Sequence, residues 1–237
     1  MDMIREKDPM GMAIADYHKH GVAGRLRVFS PDFEEDEIPV ETLFRDMQDM
    51  PALEQKALEL STGKTLDVGA GAGCHSLVLQ GMNVDVTAID ISPLSVETMK
   101  ERGVRNALEK DFWTITESYD TILMLMNGIG IVGSLDELPR FFKHISKILK
   151  PDGQLIFDSS DISYLFENED GIIELPDTTY YGELTYQMQY KRTKGSEFKW
   201  LYVDSQTIKT IAEANGFDCI LLAQGEHFDY LAQIKRR

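Results

Sequence analysis

Cysteine is nearly absent from this chain, with two residues, Cys74 and Cys219, among 237. They stand far apart and without metal-ligand spacing, which removes a disulfide framework and a zinc site from consideration. Long apolar runs are absent as well. None approaches the ~18 residues that a membrane helix needs, and residues 1–9 are charged rather than signal-like, so the expectation is a cytoplasmic chain with no membrane partner. Basic residues are scarce, 24 Lys and Arg against 40 Asp and Glu for a net charge of −16. A nucleic-acid binder neutralises phosphates with clustered Lys and Arg, and the short end at 235–237 is the sole basic cluster, so no nucleic-acid partner is expected. The acidity serves solubility or steers a neutral or cationic ligand.

What is present fits one α/β domain with an embellishment: ordinary length, 43% hydrophobic residues and no internal repeat. Apolar runs at 65–69, 84–89, 104–108, 120–126 and 154–158 alternate with helical patterns, which calls for a parallel sheet covered on both faces. Ser92-Pro93 reads as a helix start, with serine as cap and proline in the first turn. Leu138, Phe141, Phe142, Ile145, Ile148 and Leu149 recur at helical spacing, and Pro151-Asp152-Gly153 is expected to end that helix. Ser205 is expected to cap a further helix that stops at Gly216. Two apolar runs then follow at 217–223 and 228–234, and the short link between them permits only an antiparallel hairpin.

Within residues 65–76 an apolar strand, Leu66-Asp67-Val68, runs into three alternating glycines, Gly69, Gly71 and Gly73, and then into a helical pattern. Only glycine takes φ > 0 freely while bringing backbone N–H groups close to a ligand, so the spacing suits a cofactor loop as well as a tight strand-to-helix turn. Asp67 precedes the loop and Asp90 ends the next strand, where a carboxylate can accept hydrogen bonds from both hydroxyls of a ribose. A nicotinamide dehydrogenase usually spaces its glycines Gly-x-Gly-x-x-Gly; here the third comes one residue early. Asp67 would also repel a pyrophosphate and favour a cationic ligand.

These residues resemble the class I S-adenosylmethionine-dependent methyltransferases, whose first motif, acid-x-Gly-x-Gly-x-Gly, matches Asp67, Gly69, Gly71 and Gly73. The resemblance covers residues 63–158 and extends weakly to the C-terminus. It places the ribose ligand at Asp90 and the acid beside the adenine at Asp111, and it marks Ala70, Ile91, Phe112 and Met126 as further cofactor-binding positions. It implies a Rossmann-like, doubly wound, mainly parallel seven-stranded sheet whose last strand is antiparallel, with S-adenosylmethionine as cofactor and no metal. Residues 61–158 and 205–237 would form this core, 1–60 an N-terminal helical segment or lid, and 159–204 a β-rich insertion. The fourth strand leads into Leu-Met-Asn-Gly-Ile-Gly (125–130), not the Asn/Asp-Pro-Pro-aromatic pattern of amino-directed DNA and glutamine methyltransferases. A small-molecule acceptor, methylated at O, N or S by in-line displacement, is the better match. A non-catalytic S-adenosylmethionine-binding module is the reading from another class.

Ligands in such sheets bind beyond the carboxyl ends of the parallel strands. Asn127, Asp158 to Asp161 and His227 are expected to converge there. Asn127 is a candidate for a hydrogen bond to the substrate or the methyl donor, or a turn residue before Gly128. Asp158 and His227 are the candidate general bases, and Asp158 and Asp161 can also meet a substrate cation. His75 is expected to start a helix, Tyr17-His18-Lys19-His20-Gly21 to end one, and residues 32–37 to form a solvated acidic loop. Leu53, Ala57 and Leu60 place an amphipathic helix before the core. In the insertion, Leu184, Tyr186, Met188 and Tyr190 alternate with polar residues and precede a second run at 198–203. With Tyr180 and Tyr181 they suit a substrate cap, a homodimer interface or a cover for a sheet edge.

Overall fold

The computed structural model describes residues 5–237; the first four residues of the charged opening stretch lie outside it. Asp8 caps the first helix, α1 (Pro9–His20), by accepting the Gly11 N–H at 2.7 Å, and Gly21, at φ 71°, closes it by donating to the Tyr17 carbonyl at 2.8 Å. The sequence leads to the expectation of a helical segment over 1–60, but two strands interrupt it. Strands β1 (Leu26–Phe29) and β2 (Asp36–Ile38) pair antiparallel, with Val28 opposite Asp36 and Leu26 opposite Ile38. The acidic run is therefore only partly a loop: Glu35 and Glu37 pair with Arg27 and Arg25, opposite charges that favour the hairpin. Helix α2 (Ala52–Leu60) then buries Leu53, Ala57 and Leu58.

The core follows as β3 (Lys64–Val68), α3 (Cys74–Gly81), β4 (Asp85–Asp90), α4 (Pro93–Glu101), β5 (Ala107–Glu109), β6 (Tyr119–Met124), α5 (Leu138–Ile148) and β7 (Leu149–Ser160). The inserted strands are β8 (Glu183–Tyr190), β9 (Thr193–Lys194) and β10 (Phe198–Leu201), and α6 (Ser205–Ala214), β11 (Phe217–Gln224) and β12 (Asp229–Arg236) complete the chain. Seven strands lie in the order β11-β12-β7-β6-β3-β4-β5, and β3 to β7 run parallel. The antiparallel β12 is last in the chain but interior in space, wedged between β7 and β11. Because the chain steps from β3 outward through β4 and β5, then returns to β6 on the other side of β3, the strand order reverses there and opens a crevice at the carboxyl edge.

Local chemistry sets the helix ends. Ser92 caps α4 by accepting the Ser95 N–H at 2.9 Å, with Pro93 behind it. Asp204, one residue earlier than the expected Ser205, caps α6 by accepting the N–H groups of Gln206 and Thr207 at 3.0 and 2.9 Å; a carboxylate reaches both donors where a hydroxyl reaches one. Helix α5 stops at Ile148, before Pro151-Asp152-Gly153, which instead lies where the β6–β7 register shifts. Its apolar stripe is buried as expected, and each fully buried Phe or Leu contributes roughly 1.5–3 kcal/mol.

A second sheet, in the order β10-β8-β1-β2 with β9 on β8, joins the N-terminal segment to the insertion. Leu26 faces Tyr190 and Val28 faces Met188, so the segment expected as a lid and the insertion at 159–204 each contribute strands to one sheet. Strand alternation puts Val28, Asp36, Tyr186 and Met188 on the face that carries Leu26 and Tyr190, which pack with Ala13 of α1. This sheet is tied to the core at several points. Val203 N–H donates to Ser159 Oγ at 3.1 Å, Tyr230 OH donates to the Val203 carbonyl at 2.7 Å, and Trp200 lies so close to Gly130 that a Cβ there would meet its Nε1 at 2.2 Å. Among the described residues no helix is long and apolar enough to cross a membrane.

Candidate functional site

Between β3 and α3 the chain folds into a cradle. Gly69, Gly71 and Gly73 all take positive φ (68°, 56° and 81°). Gly69 and Ala70 donate their N–H groups to the Ile89 carbonyl at 2.9 and 3.0 Å, and Gly71 N–H donates to Asp90 Oδ2 at 2.9 Å. A Cβ on Gly73 would strike Met99 Cγ and Val104 Cγ2 at 2.9 Å, so this glycine serves packing. A Cβ on Gly69 would meet nothing within 4 Å, and one on Gly71 only Ile14 Cδ1 at 4.0 Å. The space over the first two glycines is open to a ligand, with α1 at its rim.

Asp90 stands at the edge of this space, its other oxygen accepting the Ser92 N–H at 2.8 Å. Burial raises its carboxyl to about 6, helped by Asp8 and Asp67 and opposed by the two backbone donors. Asp67 is only 2% exposed; it accepts the Ser76 hydroxyl at 2.6 Å and so joins β3 to α3 under the loop. Ile91 and Met126, 44% and 38% exposed, are apolar side chains left open at the same carboxyl edge. Asp111 caps the turn at 112–114 by accepting the Trp113 N–H at 2.9 Å. Phe112 corrects the sequence reading: its ring is 4% exposed and packs on Phe141, Trp113 and His144, leaving no face for an adenine.

Of the three candidate catalytic residues, two meet. Met126 and Asn127 both sit at left-handed φ (59° and 56°), a strained end to β6 that turns the Asn127 N–H onto both oxygens of Asp158 at 3.1 Å. The Asn127 side chain is occupied within the protein: it donates to the Leu201 carbonyl at 3.2 Å and accepts the Ser159 hydroxyl at 2.7 Å, holding β10 to the core. A role in binding substrate through that amide is therefore corrected to a structural tie. Burial raises the Asp158 carboxyl to about 7, with Glu54 adding to the rise and Asn127 N–H and His75 opposing it. His227 is exposed in the β11–β12 turn, four residues before Leu231, the register partner of Asp158, or at most roughly 13 Å of extended chain. It stands apart from the other two.

Two features escaped sequence reasoning. Beneath the cradle, His75 Nε2 meets Glu54 Oε2 at 2.7 Å, and Arg45 grips the same carboxylate at 2.8 and 2.9 Å. Burial opposes charge on His75, but the Cys74 sulfur, Glu54 and Asp67 together raise it well above its ordinary value. Burial would likewise raise Glu54, yet His75 and Arg45 hold it below the usual range. Residues 45, 54 and 75 share no motif spacing, so only the fold unites them. In the second sheet and just after it, Tyr186 and Tyr202 lie in each other's field and in that of Asp36 and Tyr164, and Tyr202 also in that of Asp158. Burial is the main reason both phenols are raised.

The residues present fit S-adenosylmethionine. A glycine cradle with open space above it, a carboxylate at the ribose position and uncovered apolar side chains beside it suit an adenosine with a cationic tail, and the acids around the cradle oppose a pyrophosphate. A family model described as a methyltransferase domain matches residues 41–222. A SAM-dependent methyltransferase from Bacteroides fragilis, solved in complex with S-adenosyl-L-homocysteine, is 51% identical with a TM-score of 0.94, covering 100% of this chain and 98% of that one. Two curated relatives match more narrowly. A demethylmenaquinone methyltransferase of Tropheryma whipplei is 29% identical over 110 residues, 43% of this chain and 44% of that protein. The biotin biosynthesis bifunctional protein BioHC of Saccharophagus degradans is 26% identical over 110 residues, 44% of this chain and 19% of that protein. The chain thus spans less than half the length of these two relatives. With most of its length matched by the family model and its sheet in the corresponding order, the chain belongs to the methyltransferase-domain family and has the class I S-adenosylmethionine-dependent fold.

Proposed function

We propose that this chain transfers a methyl group from S-adenosylmethionine to a small molecule held between the two sheets. The observation that carries this reading is the tie between the insertion and the carboxyl edge: Asn127, whose N–H donates to Asp158, also donates through its amide to the Leu201 carbonyl, and the Val203 N–H donates to Ser159 Oγ, which brings the segment around Tyr202 to the end of β7. A module that only bound the donor would need no insertion fastened to that edge. When bound, the cofactor supplies a sulfonium methyl, an electrophile that needs no metal activation. The residues of the chain hold and orient. Asp90 would accept the ribose hydroxyls, Ile91 and Met126 would cover the adenosine, and the backbone of Gly69 and Gly71 would admit the donor closely. The strained Met126–Asn127 turn holds Asp158 at the carboxyl edge, where it would take a proton from a nucleophile. Holding nucleophile and methyl in line accounts for roughly 7 kcal/mol or more of barrier when the geometry is good.

The test is incubation with methyl-labelled S-adenosylmethionine and small-molecule acceptors, reading both labelled product and S-adenosylhomocysteine. Transfer that falls at least about tenfold in Asp158→Asn, with S-adenosylhomocysteine affinity kept, is the expected result. Donor binding without transfer to any acceptor would instead make the chain a binding module.

A further inference from the structure

A single serine joins helix α1 to the donor site. Ser92, buried at the start of α4, donates its N–H to Asp90 Oδ1 at 2.8 Å and its hydroxyl to Asp8 Oδ2 at 2.5 Å. The other oxygen of each carboxylate takes a backbone donor of its own, Gly71 N–H for Asp90 at 2.9 Å and Gly11 N–H for Asp8 at 2.7 Å. Only glycine lets α1 come this close to α4, because a Cβ on Gly11 would collide with Ser92 Oγ and Asp8 Oδ2. Ile14, three residues on and so on the same helix face, stands over Gly71 of the cradle.

Asp8 is 1% exposed and forms no ion pair among the described residues. Burial raises its carboxyl, against the pull of Ser92 and Gly11. Serine or asparagine caps a helix as well as aspartate does, and either meets Ser92 without the cost of a second buried carboxylate. Fastening α1 therefore does not account for the charge. Its neighbour does: Asp8 is among the groups that raise Asp90.

We infer that Asp8 is a positioning residue for the donor site: through Ser92 it holds Asp90 in place for the ribose hydroxyls, which makes the seating of α1 and the capture of the ribose one linked event. The inference rests on the methyl-donor reading and deepens it. One backbone donor on each Asp90 oxygen fixes the carboxylate and leaves a lone pair on each for a hydroxyl. By reciprocity, bound donor steadies α1, and loosening α1 weakens the donor. The other charged groups around the pair are Asp67 on β3, Glu109, the register partner of Asp90 on β5, and the pairs Arg5–Glu97 and His18–Glu101 between the N-terminal segment and α4.

Calorimetry with S-adenosylhomocysteine across pH, on wild type, Asp8→Asn, Asp90→Asn and the double variant, tests the coupling; asparagine keeps the helix cap. The loss of affinity below pH ~6 is expected to move to lower pH in Asp8→Asn, so that at pH ~5.5 this variant keeps at least about twofold more of its neutral-pH affinity than wild type does. With Asp90 already replaced, the same change is expected to leave the pH profile where it is. Stopped-flow release of S-adenosylhomocysteine at neutral pH is expected to quicken at least about threefold in both Asp8→Asn and Ser92→Ala. A pH profile that Asp8→Asn leaves in place, or moves equally when Asp90 is absent, would overturn the inference and make Asp8 a helix cap, with the donor site still standing. No S-adenosylhomocysteine binding by the wild type would remove the donor reading and the inference with it.

Discussion

Gly69 and Gly73 are two glycines of one motif with different duties. At Gly73 a side chain meets both a left-handed backbone and the side chains of Met99 and Val104, so Gly73→Ala is expected to lower unfolding free energy by about 2 kcal/mol or more in urea titrations. At Gly69 the space is open. Gly69→Ala is expected to cost only the backbone strain, about 1–2 kcal/mol, but to weaken S-adenosylhomocysteine at least about tenfold, because its methyl occupies the room left for the ligand. Asp90 gives a pH signature. A carboxyl raised to about 6 favours the ligand-free fold below its unfolded value near 4, and that contribution is lost as pH rises through about 6. A ribose donates to the ionised form, so ligand affinity runs the other way. It is expected to be flat above pH ~7 and to fall toward tenfold per unit below ~6, a slope that calorimetry across pH detects and that Asp90→Asn removes. The groups facing Asp90 are the acids Asp8 and Asp67 and the N–H donors of Ser92 and Gly71.

At the scale of elements, the Arg45–Glu54–His75 cluster joins the segment before α2, α2 itself and α3 beneath the cradle. Glu54→Gln leaves a buried guanidinium and imidazolium without their carboxylate, and a loss of about 3 kcal/mol in denaturant unfolding is expected. A loss below about 1 kcal/mol would mean that the cluster is solvated. The same elements show what sequence carries. Strands β3, β4 and β6 were legible because each is a local apolar run followed by its own helix, and β7 because its apolar run follows α5. The cradle was legible because φ > 0 leaves a glycine imprint. Strands β1 and β2 were not: four and three residues long, they join the sheet through the pairing of β1 with β8, some 160 residues away in the chain, and no local period records such a partner. Asp36 looked like one acid in a solvated run, and only the β1–β2 register puts it opposite Val28. Asn127 was legible as a residue at the active edge, but the partners that occupy its amide come from β7 and the insertion.

For the whole molecule, ligand linkage supplies the broad expectation. S-adenosylhomocysteine at 100 times its dissociation constant adds about 2.7 kcal/mol to the folded state, so thermal unfolding of this 237-residue chain is expected to shift upward by roughly 5–10 °C. The net charge of −16 adds a kinetic expectation: association of a cationic ligand slows as ionic strength rises, while a neutral analogue is unaffected. The central claim is that the carboxyl edge over Gly69, Gly71 and Asp90 is a methyl-donor site. Calorimetric titration of the wild type and Asp90→Ala with S-adenosylhomocysteine and with NAD tests it most directly. Saturable S-adenosylhomocysteine binding that is lost in the variant, with no heat from NAD, is the expected result; NAD binding without S-adenosylhomocysteine binding would contradict the account.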